Sequence, residues 1–276
     1  MPLEPISATT CIIRNTGATR GRTRSVRPGA TAAQQLHVGR IILNHGEPLD
    51  VDPGGHETGL VCLSGAATVT VGGTDYALAQ YDALYISRAR PFTIMPGTSG
   101  CDLAELSAAV EGAYPVQYVR FADVQNDPGL HFTAGGPASS RQLNILLGKN
   151  VEAGRIMAGV TFSAPGHWTS WPPHEHSVLA EEAYLYIDMP HPSFGVQFVY
   201  NDDRSPEIAT MVREGDVVLM PQGYHPNVAA PGGQINFLWM MAAHRERIDR
   251  QFGVVNVHPD FADGGSGLDA GRAQTK

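Results

Sequence analysis

The chain has 276 residues, 42% of them hydrophobic and 17% charged, with a formal net charge of -8. That is enough for one large or two ordinary domains with a real core, and no basic stripe of a nucleic-acid binder runs through it. No stretch approaches the roughly 18 uninterrupted apolar residues of a membrane span, and the three scattered cysteines, Cys11, Cys62 and Cys101, argue against a disulfide framework or a thiolate zinc site.

The N-terminus carries no apolar signal-peptide core, so a cytoplasmic protein is expected. The first feature along the chain is a basic cluster, Arg20, Arg22, Arg24 and Arg27, read as a solvated loop. Short β-like runs cut by Gly, Pro, Asn and Asp follow, at 59–63, 67–71, 83–86 and 92–95. Residues 139–147 fit a short helix or a strand. Further runs lie at 155–162, 182–187, 196–200, 216–220 and 235–241. Such spacing points to an all-β sandwich or barrel. Residues 46–97 and 155–243 repeat one plan, so two barrels of the same type are expected. The expected division is 1–135 and 136–262, with a flexible tail over 263–276 that has little to pack. His56 stands alone in the first half, which is therefore read as structural and metal-free.

The chemistry concentrates in the second half. In a strand, residues i and i+2 share a face, so His174 and His176 are expected to project together into a barrel. Imidazoles there suit Zn, Fe, Mn, Co or Ni. A carboxylate follows, from either Glu181 or Glu182; strand parity does not decide between them. A Gly-Asp turn at Gly215 feeds the run 216–220, and a Pro-x-Gly turn brings His225 to its end. Three histidines and one carboxylate leave open positions, as in a catalytic rather than a structural metal site. Tyr224 adjoins His225 and is a candidate for touching substrate or carrying a proton, as are Glu181 and a metal-bound hydroxide. Tyr184, Tyr186, Phe198 and Trp239 are expected mainly in the barrel core, with some lining the pocket.

These residues resemble a family. The run "WTSWPPHEHSVLAEEAYLYI", followed in order by "GVQFVYNDDRSPE", "VREGDVVLMPQGYHP" and "FLWMMAA", is similar to the 5-deoxy-glucuronate and 5-keto-4-deoxyuronate isomerases, sugar-acid isomerases of inositol and pectin breakdown. In the first half, "ILNHGEPLDVDPGGHETGLVCLSGAATVTVGG" resembles the former and "DALYIS" the latter. The resemblance covers about residues 10–260. It implies a double cupin, zinc or another first-row metal, and a ligand set of His174, His176, Glu182 and His225. Glu182 is preferred because the family's liganding Glu precedes an apolar residue and a Tyr, here Ala183-Tyr184. Arg141 matches a family arginine and is the candidate for binding a substrate carboxylate, since an Arg fork suits one. The resemblance also implies a homo-oligomer acting on a small sugar acid, most simply 5-deoxy-glucuronate. Against the family pattern, "HRERIDRQFGVVNVHPDF" matches neither enzyme and points to a related substrate as an alternative. An iron cupin dioxygenase and a non-catalytic sugar-binding cupin are the competing classes, because the ligand set is shared across them.

Overall fold

The computed structural model describes residues 4–264, so the tail expected over 263–276 lies, from residue 265 on, outside the described residues. Among the described residues the α-helices are two short ones, Ala8–Cys11 and Phe121–Asn126. None is long and apolar enough to cross a membrane.

The rest is antiparallel sheet. In the first half the strand order is Gly21–Val26, His37–Leu43, Phe92–Ala109, His56–Val71, Ala83–Ile86 and Gln117–Val119. In the second it is Ile12–Ile13, Val217–Met220, Ala180–Tyr186, Phe237–Ala243, Ile156–Ser163, Arg141–Leu147 and His131–Ala134. A four-stranded sheet of Trp168–Thr169, Asn227–Ala229, Gly195–Tyr200 and Glu207–Val212 completes the second barrel. The repeated plan is visible as a repeated path. His37–Leu43, Phe92–Ala109, His56–Val71 and Ala83–Ile86 neighbour one another as Ile156–Ser163, Phe237–Ala243, Ala180–Tyr186 and Val217–Met220 do.

Two sequence expectations change. The runs 59–63 and 67–71 are one strand, His56–Val71, bent by register shifts between Cys62 and Ser64 and between Gly65 and Ala67. A bulge bends a strand without ending it. Here Gly65 takes φ +70°, and a Cβ on it would lie 2.3 Å from the Gly100 carbonyl oxygen, so only glycine fits the crossing. The arginine cluster is only half solvated: Arg20 and Arg27 are exposed, whereas Arg22 and Arg24 lie on the strand Gly21–Val26, where Arg22 binds buried Glu105 through two nitrogens at 2.8 and 2.6 Å, with Arg24 at 3.5 Å. A buried carboxylate requires such a partner, and alternate strand positions supply it.

Period-two alternation divides the core. Leu60 and Cys62 face the first barrel's interior with Ile41, Leu84 and Leu103. Val61 and Leu63 face the other way, into a second cluster that continues through Leu106, Leu143, Ile156, Leu185 and Leu238. The barrels thus share a core, and the chain crosses between them: Ile12–Ile13 pairs with Val217–Met220, and His131–Ala134 extends the second sheet.

Two buried carboxylates clasp the halves reciprocally. Glu57 of the first barrel accepts the backbone N–H groups of Gly154, Arg155 and Ile156 and the Tyr85 hydroxyl, at 2.6–2.9 Å. Glu181 of the second accepts the N–H groups of Gln34, Gln35 and Leu36. Replacing Glu57, which does not line the histidine cavity, with Ala strands four donors, three of them fully buried. The expected loss is about 3–5 kcal/mol of unfolding free energy in urea, with metal content unchanged. A loss below about 1 kcal/mol would contradict the clasp.

Candidate metal centre

The strand carrying the first histidine is short. His174–Glu175 pairs with Asn256–Val257, and the chain then turns: the N–H groups of Leu179 and Ala180 both donate to the His176 carbonyl. The strand ends at Glu175, one residue before His176, and the imidazoles of His174 and His176 line the same cavity. Glu182 comes from Ala180–Tyr186, and His225 follows the turn at Gly223, which takes φ +98°.

These elements bring His176, Glu182 and His225 into one compact, buried group. The Glu182 Oε2 lies 2.9 Å from His176 Nε2 and 3.2 Å from His225 Nε2. The His174 ring lies beside this group, 4.9 Å centroid to centroid from His225, and lines the same cavity as His176 and Glu182. Glu181, the alternative carboxylate, points away and is held by the three N–H groups already described.

Each imidazole is oriented by its other nitrogen. Nδ1 of His174, His176 and His225 contacts the carbonyl of Pro172, Ala180 and Gly223, at 2.9, 3.0 and 2.9 Å. A carbonyl only accepts, so each Nδ1 carries a hydrogen and each ring turns its Nε2 away from the backbone. The Nε2 atoms of His176 and His225 then face one carboxylate oxygen, a cluster that either a proton on His176 or a metal cation among them satisfies. The His225 Nε2 is buried and has no hydrogen-bond partner among the described residues. Imidazoles held by backbone carbonyls and a carboxylate of this kind fit a divalent metal ion.

The electrostatics agree. Burial, followed by the neighbouring His225, drives the His174 pKa down to about 3, so this ring stays neutral. Burial alone would raise the Glu182 carboxyl, but His176 and His225 overcome it and hold it at about 2. Burial works against a charge on His176, but Glu182 raises its pKa, so without a metal the centre holds a neutral His174 beside a His176–Glu182 ion pair.

The cavity beside it is lined by Arg141, Ser170, Tyr184, Trp239 and a segment that includes Asp249 and Phe252. Arg141 is 3% exposed and donates to the Ser139 carbonyl at 3.1 Å. Burial lowers its pKa to about 10, which leaves it cationic at neutral pH. Tyr224 is not among the lining residues; it packs against Tyr200 and His258, with ring centroids 5.6 and 4.7 Å away. In the first half His56 meets the His37 ring edge-on at 5.0 Å.

Sequence reasoning missed two contributors. Ser170 had no motif to mark it. The segment after Phe237–Ala243 roofs the cavity through Gln251 to Val255 and then pairs with the His174 strand, where Asn256 Nδ2 donates to Glu175 at 2.6 Å. Its apolar residues Phe252, Val254 and Val255 follow no regular period, and period is what sequence analysis detects.

Comparison with known proteins places this geometry. The profile described as the KduI/IolB family matches residues 11–258. A 5-deoxy-glucuronate isomerase from Geobacillus thermodenitrificans is 35% identical over 148 residues, covering 51% of this chain and 52% of that protein. The match thus spans about half the length of this relative. Among solved structures, an IolB-like protein from Salmonella typhimurium LT2 superposes with a TM-score of 0.81 at 21% identity, covering 91% of this chain and 98% of that one. A cupin 2 conserved barrel domain protein from Leptotrichia buccalis superposes with a TM-score of 0.50 at 13% identity, covering 88% and 92%. At these identities the structures show the fold, which is two cupin barrels in one chain.

The His174 environment predicts a pH dependence of the metal-free protein. A histidine whose folded pKa lies below its unfolded value of about 6.5 contributes stability above that value and loses it as pH falls toward about 3. Between pH 7 and pH 5, in chelator, His174→Gln is expected to lose about 2 kcal/mol less unfolding free energy than the unsubstituted chain. Equal losses in urea titrations at the two pH values would contradict the assignment.

Proposed function

The chain belongs to the KduI/IolB family, and from that premise we propose that it is a metal-dependent isomerase interconverting the aldose and ketose forms of a deoxy uronic acid. The substrate we favour is 5-deoxy-glucuronate, in inositol breakdown, because curated relatives carry the name 5-deoxy-glucuronate isomerase. The observation that carries the reading is that one cavity holds both a buried guanidinium and the His/Glu group. A uronic acid has two ends to match, a carboxylate and a carbonyl with a neighbouring hydroxyl.

In this reading His174, His176, Glu182 and His225 would hold the ion, and imidazoles with a carboxylate are a donor set that suits zinc. When bound, the ion supplies Lewis acidity toward the carbonyl and adjacent hydroxyl oxygens. The residues of the chain do the rest. The backbone carbonyls at Pro172, Ala180 and Gly223 keep the imidazoles aimed. Arg141 binds the carboxylate and so fixes which carbons face the ligands. The segment from Gln251 to Val255 lines the same cavity with the apolar side chains of Phe252, Val254 and Val255. Glu181, tied to three N–H groups, is removed as a proton carrier, and Tyr224 lies outside the cavity lining.

The test is turnover of 5-deoxy-glucuronate, followed by proton NMR, beside metal analysis. The metal-loaded protein is expected to isomerise it, to stop in chelator and to recover with a divalent metal. His176→Ala and Glu182→Gln are expected to lose bound metal and to lower kcat/KM at least about 100-fold. Arg141→Met is expected to raise KM about 10–100-fold with metal retained, the effect of one charged hydrogen-bonding partner. Metal-loaded protein with no turnover of this or another deoxyuronate would overturn the proposal.

A further inference from the structure

Two tyrosines follow Glu182 on one strand at alternate positions, Tyr184 and Tyr186, and their hydroxyls have different surroundings. Tyr186 is fully buried and donates to Gln197 Oε1 at 2.6 Å, as a core tyrosine does. Tyr184 lines the cavity together with Glu182, Arg141 and Ser170.

Resting on the isomerase reading, we propose that the Tyr184 hydroxyl is a catalytic group that donates a hydrogen bond to a substrate oxygen, and that Ser170 is its positioning residue. Tyr184 sits two residues beyond Glu182 in the same strand, hence on the same face. Its ring is clamped by stacking on Phe237, 4.0 Å away at 22°, and by edge contact with His225 at 6.0 Å. The hydroxyl is therefore fixed beside the ligand group, in the same cavity as the guanidinium that takes the carboxylate.

That hydroxyl keeps spare capacity. A phenol offers one donor and two acceptor positions. Among the described residues its hydrogen-bond partner is Ser170 Oγ, at 2.8 Å. If the serine donates, the phenolic hydrogen is left for a ligand. Ser170 itself takes φ +49°, a left-handed conformation in which glycine would be unstrained. A serine there keeps a hydroxyl at the one place from which it reaches Tyr184. As isomerisation shifts charge onto an oxygen, a fixed donor stabilises it more than it stabilises the ground state.

Three variants test this. In Tyr184→Phe, kcat on 5-deoxy-glucuronate is expected to fall about 10–100-fold with bound metal unchanged. Tyr186→Phe, which removes a hydroxyl two residues away, is expected to keep kcat within about twofold. Ser170→Gly relieves the φ strain, so its melting temperature is expected to stay within about 4 °C while kcat falls; a purely structural serine would not separate these two. A second readout uses D-glucuronate binding by calorimetry to chelator-treated protein, where Tyr184→Phe is expected to weaken binding about 10-fold and Tyr186→Phe to leave it unchanged. If the unsubstituted chain fails to turn over, the isomerase reading fails and the binding comparison alone decides the role of Tyr184. Tyr184→Phe that matches the unsubstituted chain in binding, and in turnover where there is turnover, would overturn the proposal. So would kcat losses that only track losses of metal or stability.

Discussion

Two buried imidazole nitrogens aimed at one carboxylate oxygen need a positive charge among them, either a proton held on His176 or a metal ion. The arrangement around Glu182 has this property because three backbone carbonyls claim the Nδ1 hydrogens of His174, His176 and His225. Those carbonyls sit where strands begin or the chain turns: Pro172 before a short strand, Ala180 at the start of the next, and Gly223 at a left-handed glycine. The site is thus prepared by the main chain, and the side chains have little freedom to turn over.

The rest of the fold holds those positions still. Glu182 lies on Ala180–Tyr186, a strand whose neighbours on both sides are antiparallel partners within the second barrel. One residue earlier, Glu181 faces the opposite way and binds three N–H groups of the first half. Adjacent carboxylates on one strand therefore divide the work, one toward the cavity and one toward the other barrel. Glu57 makes the reciprocal attachment to Gly154, Arg155 and Ile156, at the start of the strand Ile156–Ser163. A carboxylate accepting several main-chain N–H groups is an anchor with strict geometry, and the pair ties the cavity floor to a barrel that contributes no residue to the ligand group.

The fold class was legible because short runs separated by turn residues survive almost any packing. The repeat was legible because both halves present the same sequence of hairpins. Strand breaks were less so: Ser64-Gly65 reads as a turn, yet the chain continues through it as a bulge, since the close crossing at Gly100 tolerates glycine alone. The arginine cluster reads as solvated because charge density says nothing about Glu105, 83 residues from Arg22 in sequence and buried beside it. At the site, residue types identified His174, His176, His225 and a glutamate. Ser170 and the roof segment carry no periodic signal. The segment before Asn256 is placed by the pairing of Asn256–Val257 with His174–Glu175, a contact between segments about 80 residues apart.

The central claim is that these nitrogens converge on a metal ion. Anomalous diffraction from crystals loaded with zinc tests it most directly. A peak enclosed by His176, Glu182 and His225, with His174 beside it, is the predicted result; a peak confined to other residues, or none at saturating zinc, would contradict the account.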